Sequence, residues 1–97
     1  MSLTITKEQN KLILQYPFLS PTKIFRDAIG ELLATDMEPP KKYFKPKMGE
    51  RKDINTTTIK ISIIAEHKHF IEQLKTMGFN ASMFLRDKIN EKLEEGP

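Results

Sequence analysis

Thr58-Ile59-Lys60-Ile61-Ser62-Ile63 alternates polar and apolar residues without a fault. A period of two with β-branched side chains describes a strand with one buried face and one open face. The other end of the chain carries a second such run, Ser2-Leu3-Thr4-Ile5-Thr6. An exposed strand has open backbone groups along its edge and does not stand alone. The fold therefore turns on what each of these two short strands lies against.

Working outward, each strand leads into a short helix and then a longer one. In the second half, Phe70, Ile71, Leu74 and Met77 share one face of a helix read from Glu66 to Met77, and Gly78 ends it as a left-handed cap. In the first half, Leu12, Ile13 and Tyr16 face inward on a helix from Glu8 to Tyr16, which Pro17 stops. The longer helices form an internal repeat. Residues 20–33, Ser-Pro-Thr-Lys-Ile-Phe-Arg-Asp-Ala-Ile-Gly-Glu-Leu-Leu, lie over 80–93, Asn-Ala-Ser-Met-Phe-Leu-Arg-Asp-Lys-Ile-Asn-Glu-Lys-Leu. Arg26-Asp27 falls on Arg86-Asp87, Ile29 on Ile89, Glu31 on Glu91 and Leu33 on Leu93. The apolar stripes are Ile24, Phe25, Ala28, Ile29, Leu32 and Leu33 in one, and Ala81, Phe84, Leu85, Ile89 and Leu93 in the other. Ser20 and Asn80 are N-cap residues, and Pro21 takes the favoured first helical position. Each half thus reads strand, helix, turn, helix: residues 1–35 and 56–97. Between them, residues 36–55 contain Pro39, Pro40, Pro46 and Gly49 without an apolar period and read as a linker.

Ninety-seven residues support one compact domain or two very small units that must share a core. With no cysteine, a disulfide framework, a thiolate zinc site and a cysteine nucleophile are all excluded. No apolar run approaches membrane-spanning length and no secretory segment opens the chain, so an intracellular location is expected. On that expectation the sequons at Asn55 and Asn80 are chance matches. The net charge is +3. Residues 1–35 carry four basic and three acidic groups, residues 36–55 six and four, and residues 56–97 six of each. The basic excess is densest between Lys41 and Lys52, a distribution compatible with nucleic acid.

Strand–helix–helix in about 40 residues resembles the ribbon-helix-helix superfamily of Arc/MetJ-type regulators. Ile59–Ile63 looks like the ribbon, Gly78-Phe79-Asn80 like the turn between helices and Ser82–Leu93 like the second helix. The first half departs from the pattern, with Tyr16-Pro17-Phe18-Leu19 in place of the turn glycine and a shortened first helix. A tandem arrangement of this kind also resembles regulators carried by archaeal viruses. In this superfamily two strands from two chains pair antiparallel. The resemblance therefore implies that Leu3–Ile5 and Ile59–Ile63 pair within this chain, making a pseudo-dimer of mainly α structure around a two-stranded ribbon. A linker of about 20 residues, up to roughly 60 Å long, can return across so small a unit.

Such a ribbon fits the major groove of double-stranded DNA. Thr4, Thr6, Lys60 and Ser62 would face the bases, with Ser2 and Thr58 at the margins. The set lacks the Arg, Asn and Gln that discriminate bases best, so modest selectivity and an asymmetric site are expected. Phosphates would meet the N-termini of the second helices, at Ser20, Thr22 and Lys23 and at Asn80 and Ser82, with Lys41, Lys42, Lys45 and Lys47 adding backbone contacts.

Each of these residues also has a plainer reading. Ser20 and Asn80 are helix caps first, the lysines of the linker are a solvated connector, and Tyr43 and Phe44 tuck into a core crevice. Arg26-Asp27 and Arg86-Asp87 are expected on solvent faces in local pairs. His67 and His69, two apart on a helix, do not share a face and have no third ligand nearby, so neither a metal nor a cofactor is expected. Glu91, Glu94 and Glu95 are a helix tail rather than an acid/base pair, and no phosphate loop or catalytic triad is present, so the chain is expected to be no enzyme and to take no small-molecule substrate. A transcription regulator in a prokaryotic cytoplasm or nucleoid is the first functional expectation. The others are an architectural DNA-coating protein of low specificity, with self-association on DNA, and an antitoxin-like interaction module. An ending at Gly96-Pro97, just after the second helix, speaks against the last.

Overall fold

The structure is a computed structural model that describes residues 1–44 and 56–96. The elements run β1 (Ser2–Thr6), α1 (Lys7–Gln15), α2 (Pro21–Ala34), β2 (Thr56–Lys60), α3 (Ala65–Thr76) and α4 (Ala81–Glu95), with a 3-10 turn at Lys41–Phe44. Among the described residues the fold is mainly helical, with four α-helices and one two-stranded antiparallel sheet.

β1 lies where the alternation places it. β2 does not. The ladder pairs Ser2 with Lys60, Leu3 with Ile59, Thr4 with Thr58, Ile5 with Thr57 and Thr6 with Thr56. It starts two residues earlier than the alternating run and stops before Ser62. Met1 and Ile61 prolong the pairing, exchanging hydrogen bonds of 2.7 Å and 3.1 Å. Ile61–Ile64 then leads to α3 outside any element. Alternation sets which side chains share a face and leaves the ends of a strand free, and here the partner has only five residues to offer.

Each helix begins and ends for a local reason. Thr6 and Gln9 form a reciprocal capping box on α1. Tyr16 is extended, as the residue before a proline must be, and Leu19 N–H donates to the Tyr16 carbonyl at 3.0 Å to close the turn around Pro17. Ser20 caps α2 ahead of Pro21, and Asn80 caps α4. α3 ends in a Schellman motif: Gly78 N–H donates to Lys75 O and Phe79 N–H to Leu74 O, with Gly78 at φ +93° and Leu74 and Phe79 both buried. α2 ends the same way, except that Asp36 occupies the left-handed position at φ +55°.

The core lies under the inward face of the ribbon. Leu3, Ile5 and Ile61 meet Ile24, Phe25 and Ile29 of α2, Ile71 and Leu74 of α3, and Phe84, Leu85 and Ile89 of α4. The helical repeat holds inside this core, where Ile24 matches Phe84, Phe25 matches Leu85 and Ile29 matches Ile89, all buried. Two residues read as inward-facing are not. Tyr16 and Met77, the last on their short helices, are 39% and 54% exposed, because both helices end before their stripe reaches them.

The segment read as a plain linker is ordered at Lys41–Phe44. Tyr43 is buried, edge-on to Phe84 at 5.2 Å, and its carbonyl accepts from Asn80 N–H at 2.7 Å. Phe44 packs on Phe79. This is the core-crevice reading of the two aromatics, and it ties the connection to the turn between α3 and α4.

Candidate nucleic-acid interface

Alternation and register together define the outward face of the ribbon. Leu3 and Ile5 point to the core, so Ser2, Thr4 and Thr6 point away from it, and their partners Lys60, Thr58 and Thr56 share that face. Ser2, Thr58 and Lys60 are exposed, while Thr4, Thr6 and Thr56 are half-buried. Five of the six expected base-facing residues therefore stand together. Ser62 is exposed but lies past the end of the ladder. Thr56 takes a place on the face that sequence reading did not give it. The signal was there, since counting back by twos from Lys60 reaches Thr58 and Thr56, but three consecutive threonines hide an alternation that depends on a polarity contrast.

The backbone of the ribbon is held unequally. Because Met1 and Ile61 exchange hydrogen bonds, Leu3–Ile59 and Ile5–Thr57 are the hydrogen-bonded pairs, and Thr4 and Thr58 turn their backbone groups outward. On β1 those groups are met by α4. Thr4 N–H donates to Ser82 Oγ at 2.9 Å, and Arg86 Nη1 donates to the Thr4 carbonyl at 3.0 Å. Gln9, buried, donates to the Arg86 carbonyl and to Asn90 Oδ1, locking α1 onto the same helix. By the repeat, Thr22 and Arg26 should serve β2 in this way. Among the described residues neither makes a side-chain hydrogen bond to it. The two halves differ in spacing: β1 runs directly into α1, whereas Ile61–Ile64 separate β2 from α3.

Ser82 thus has its oxygen committed to the ribbon edge, and its hydroxyl donates to no acceptor among the described residues. It stands at the start of α4, whose first turn contains no acidic residue; the first turn of α2 has none either. No acidic side chain of either first turn offsets the partial positive charge of these helix N-termini. A hollow of about 300 Å³ lies between this end of α4 and the start of β1, lined by Ser2, Lys75, Asn80 and Ser82 among others. Lys75 was not among the expected contacts, although it precedes the Asn80 cap closely in sequence. Asn80 Oδ1 accepts from Met83 N–H and Ser20 Oγ from Lys23 N–H, so both are caps as expected. Thr6 is one as well, its hydroxyl oxygen accepting from Gln9 N–H at 3.0 Å. Lys23 and Lys41 are exposed.

One expectation about charge is corrected. Asp87 accepts from the Tyr43 hydroxyl at 2.6 Å, and the exposed Lys42 ammonium lies 3.5 Å from it. Arg86 and Asp87 are accordingly half-buried structural ties rather than a local surface pair, unlike the exposed Arg26 and Asp27. Burial first, then the hydrogen bond to Asp87 and the negative charges of Asp87 and Glu91, hold the Tyr43 hydroxyl protonated well above a phenol's usual range. Lys45 and Lys47 lie outside the described residues. His67 packs its ring over Gly30, placing α3 on α2, while His69 meets Gln73. No group of three metal-ligating side chains occurs among the described residues. None of the described helices is long and apolar enough to cross a membrane.

Compared with protein families, with curated proteins and with solved structures, the chain gives no match in any of the three.

Proposed function

We propose that this chain is a double-stranded DNA-binding transcription regulator, built as two unequal ribbon-helix-helix units that complete each other as a pseudo-dimer. The ribbon enters the major groove, and the N-termini of α2 and α4 rest on flanking phosphates. The protein binds without a cofactor or a catalytic step.

One observation carries this reading. The antiparallel register sets five of the expected base-facing side chains on a single outward face, and Ser82 at the start of α4 is bonded to the edge of that ribbon. A reading strand and a phosphate-binding helix end are then held at a fixed spacing, which is what groove recognition requires. The weak global charge suits a binder whose cations are local: Lys60 on the ribbon, Lys75 beside α4 and Lys23 beside α2.

A gel-shift titration of Lys60→Ala and Thr4→Ala against wild type tests it. Both substitutions are on the outward face, so the folded signal in circular dichroism should be kept while affinity for duplex DNA drops about tenfold or more. Variants that fold and bind as tightly and as selectively as wild type would reject the ribbon as the reading element. A salt titration is the second arm, with a log K slope of about −3 expected from these few phosphate contacts and a slope near zero overturning the mode.

A further inference from the structure

The register bears on which DNA sequence the ribbon reads, an inference that rests on the DNA-binding reading above. Its outward face holds three facing pairs: Ser2 with Lys60, Thr4 with Thr58, and Thr6 with Thr56. Two adjacent pairs are threonine against threonine. Residues facing each other at such positions stand about 4.5 Å apart, and successive pairs on one face about 7 Å apart. The four threonines therefore make one continuous patch at one end of the ribbon. The single charge among the six, Lys60, stands at the other end.

Threonine offers two groups to a base edge. Its hydroxyl both donates and accepts, and so discriminates poorly. Its methyl packs against the C5-methyl of thymine, which among base pairs only A·T presents in the major groove. Thr6 leans further toward the methyl, since its oxygen already accepts from Gln9 N–H. Lysine is a donor only and matches N7 and O6 of guanine. We infer that the duplex recognised carries an A·T block under Thr4, Thr6, Thr56 and Thr58 and a guanine under Lys60, in one polarity. A strand advances about 3.4 Å per residue and DNA about 3.4 Å per base pair. The guanine then stands about two base pairs from the Thr4–Thr58 step and about four from the Thr6–Thr56 step.

Selection from a randomised duplex library, followed by base-analogue substitution in the selected duplex, tests this. The selected sites should share an A·T block with guanine at one end only. Replacing a contacted thymine by deoxyuridine removes just the C5-methyl, and should weaken wild type about fourfold per methyl, the loss expected for one buried methyl-sized group. The triple variant Thr4→Ser, Thr56→Ser, Thr58→Ser keeps the hydroxyls and should be indifferent to that replacement at every thymine except the one under Thr6, which is left intact because it caps α1. Lys60→Ala should lose the guanine preference and keep the A·T block. If wild type binds duplex DNA but is unmoved by deoxyuridine, or if Lys60→Ala retains the guanine, the polarity inference is overturned while DNA binding stands. If no duplex is bound at all, both fall.

Discussion

Tyr43 is the residue on which the connection between the two halves depends. Its ring fills the core beside Phe84 and its hydroxyl donates to Asp87. Tyr43→Phe should keep the packing and cost about 1–2 kcal/mol, read by urea denaturation. The pH dependence follows from the same contacts. The folded pKa is raised above the unfolded value near 10, so the folded state holds the proton longer. That stability is complete below pH of about 10 and is lost as pH rises beyond it, so wild type should weaken more steeply in alkali than Tyr43→Phe. The left-handed residues that end α2 and α3 make a matched pair of opposite sign. Gly78→Ala introduces a strained backbone and a Cβ 3.3 Å from the Phe44 carbonyl oxygen, and should destabilise by about 1–2 kcal/mol. Asp36→Gly relieves a side chain from φ +55° and should stabilise by about 0.5–1 kcal/mol. Thermal unfolding of both variants checks the pair. An Asp36→Gly that destabilises would mean the Asp36 side chain does something beyond tolerating the turn.

At the scale of elements, the decisive join is between α4 and the edge of β1. Ser82→Ala leaves Thr4 N–H without its partner and should cost about 1–2 kcal/mol of stability. It also removes a hydroxyl from the α4 N-terminus, so affinity for DNA should fall more than stability alone explains. Thr22→Ala, at the equivalent place on α2, has no such bond to lose and should change stability by less than about 0.5 kcal/mol. Equal effects at the two positions would show that the halves are equivalent in solution. The elements themselves were largely legible, because each rests on local chemistry: Pro17 and Gly78 as stops, Ser20 and Asn80 as caps, and apolar stripes at helical spacing. What escaped was their ends. The stripe of α3 includes Met77, but α3 ends at Thr76, and Met77, inside the Schellman turn, is exposed. The same blindness placed β2 two residues late.

For the whole molecule, the ribbon is closed within one chain, so both of its strands and the four described helices are present in every copy. Sedimentation at nanomolar concentration should therefore find a folded monomer, with an unfolding midpoint independent of concentration. A midpoint that rises with concentration would mean that strands pair between chains.

The sequence by itself determined the elements, their order and the two faces of each strand, because alternation, caps and breakers act over a few residues. It also determined that both longer helices bury the same stripe, since Ile29 and Ile89 sit at one phase of a repeated pattern and both are buried. Tertiary structure decided the rest. The register brought Thr56 onto the outward face and left Ser62 beyond it, because pairing ends where the partner strand ends. Packing seated Tyr43 in the core, because an aromatic ring finds a crevice that no local pattern encodes. Two halves that read as repeats came to differ, because β1 runs directly into α1 while four residues separate β2 from α3.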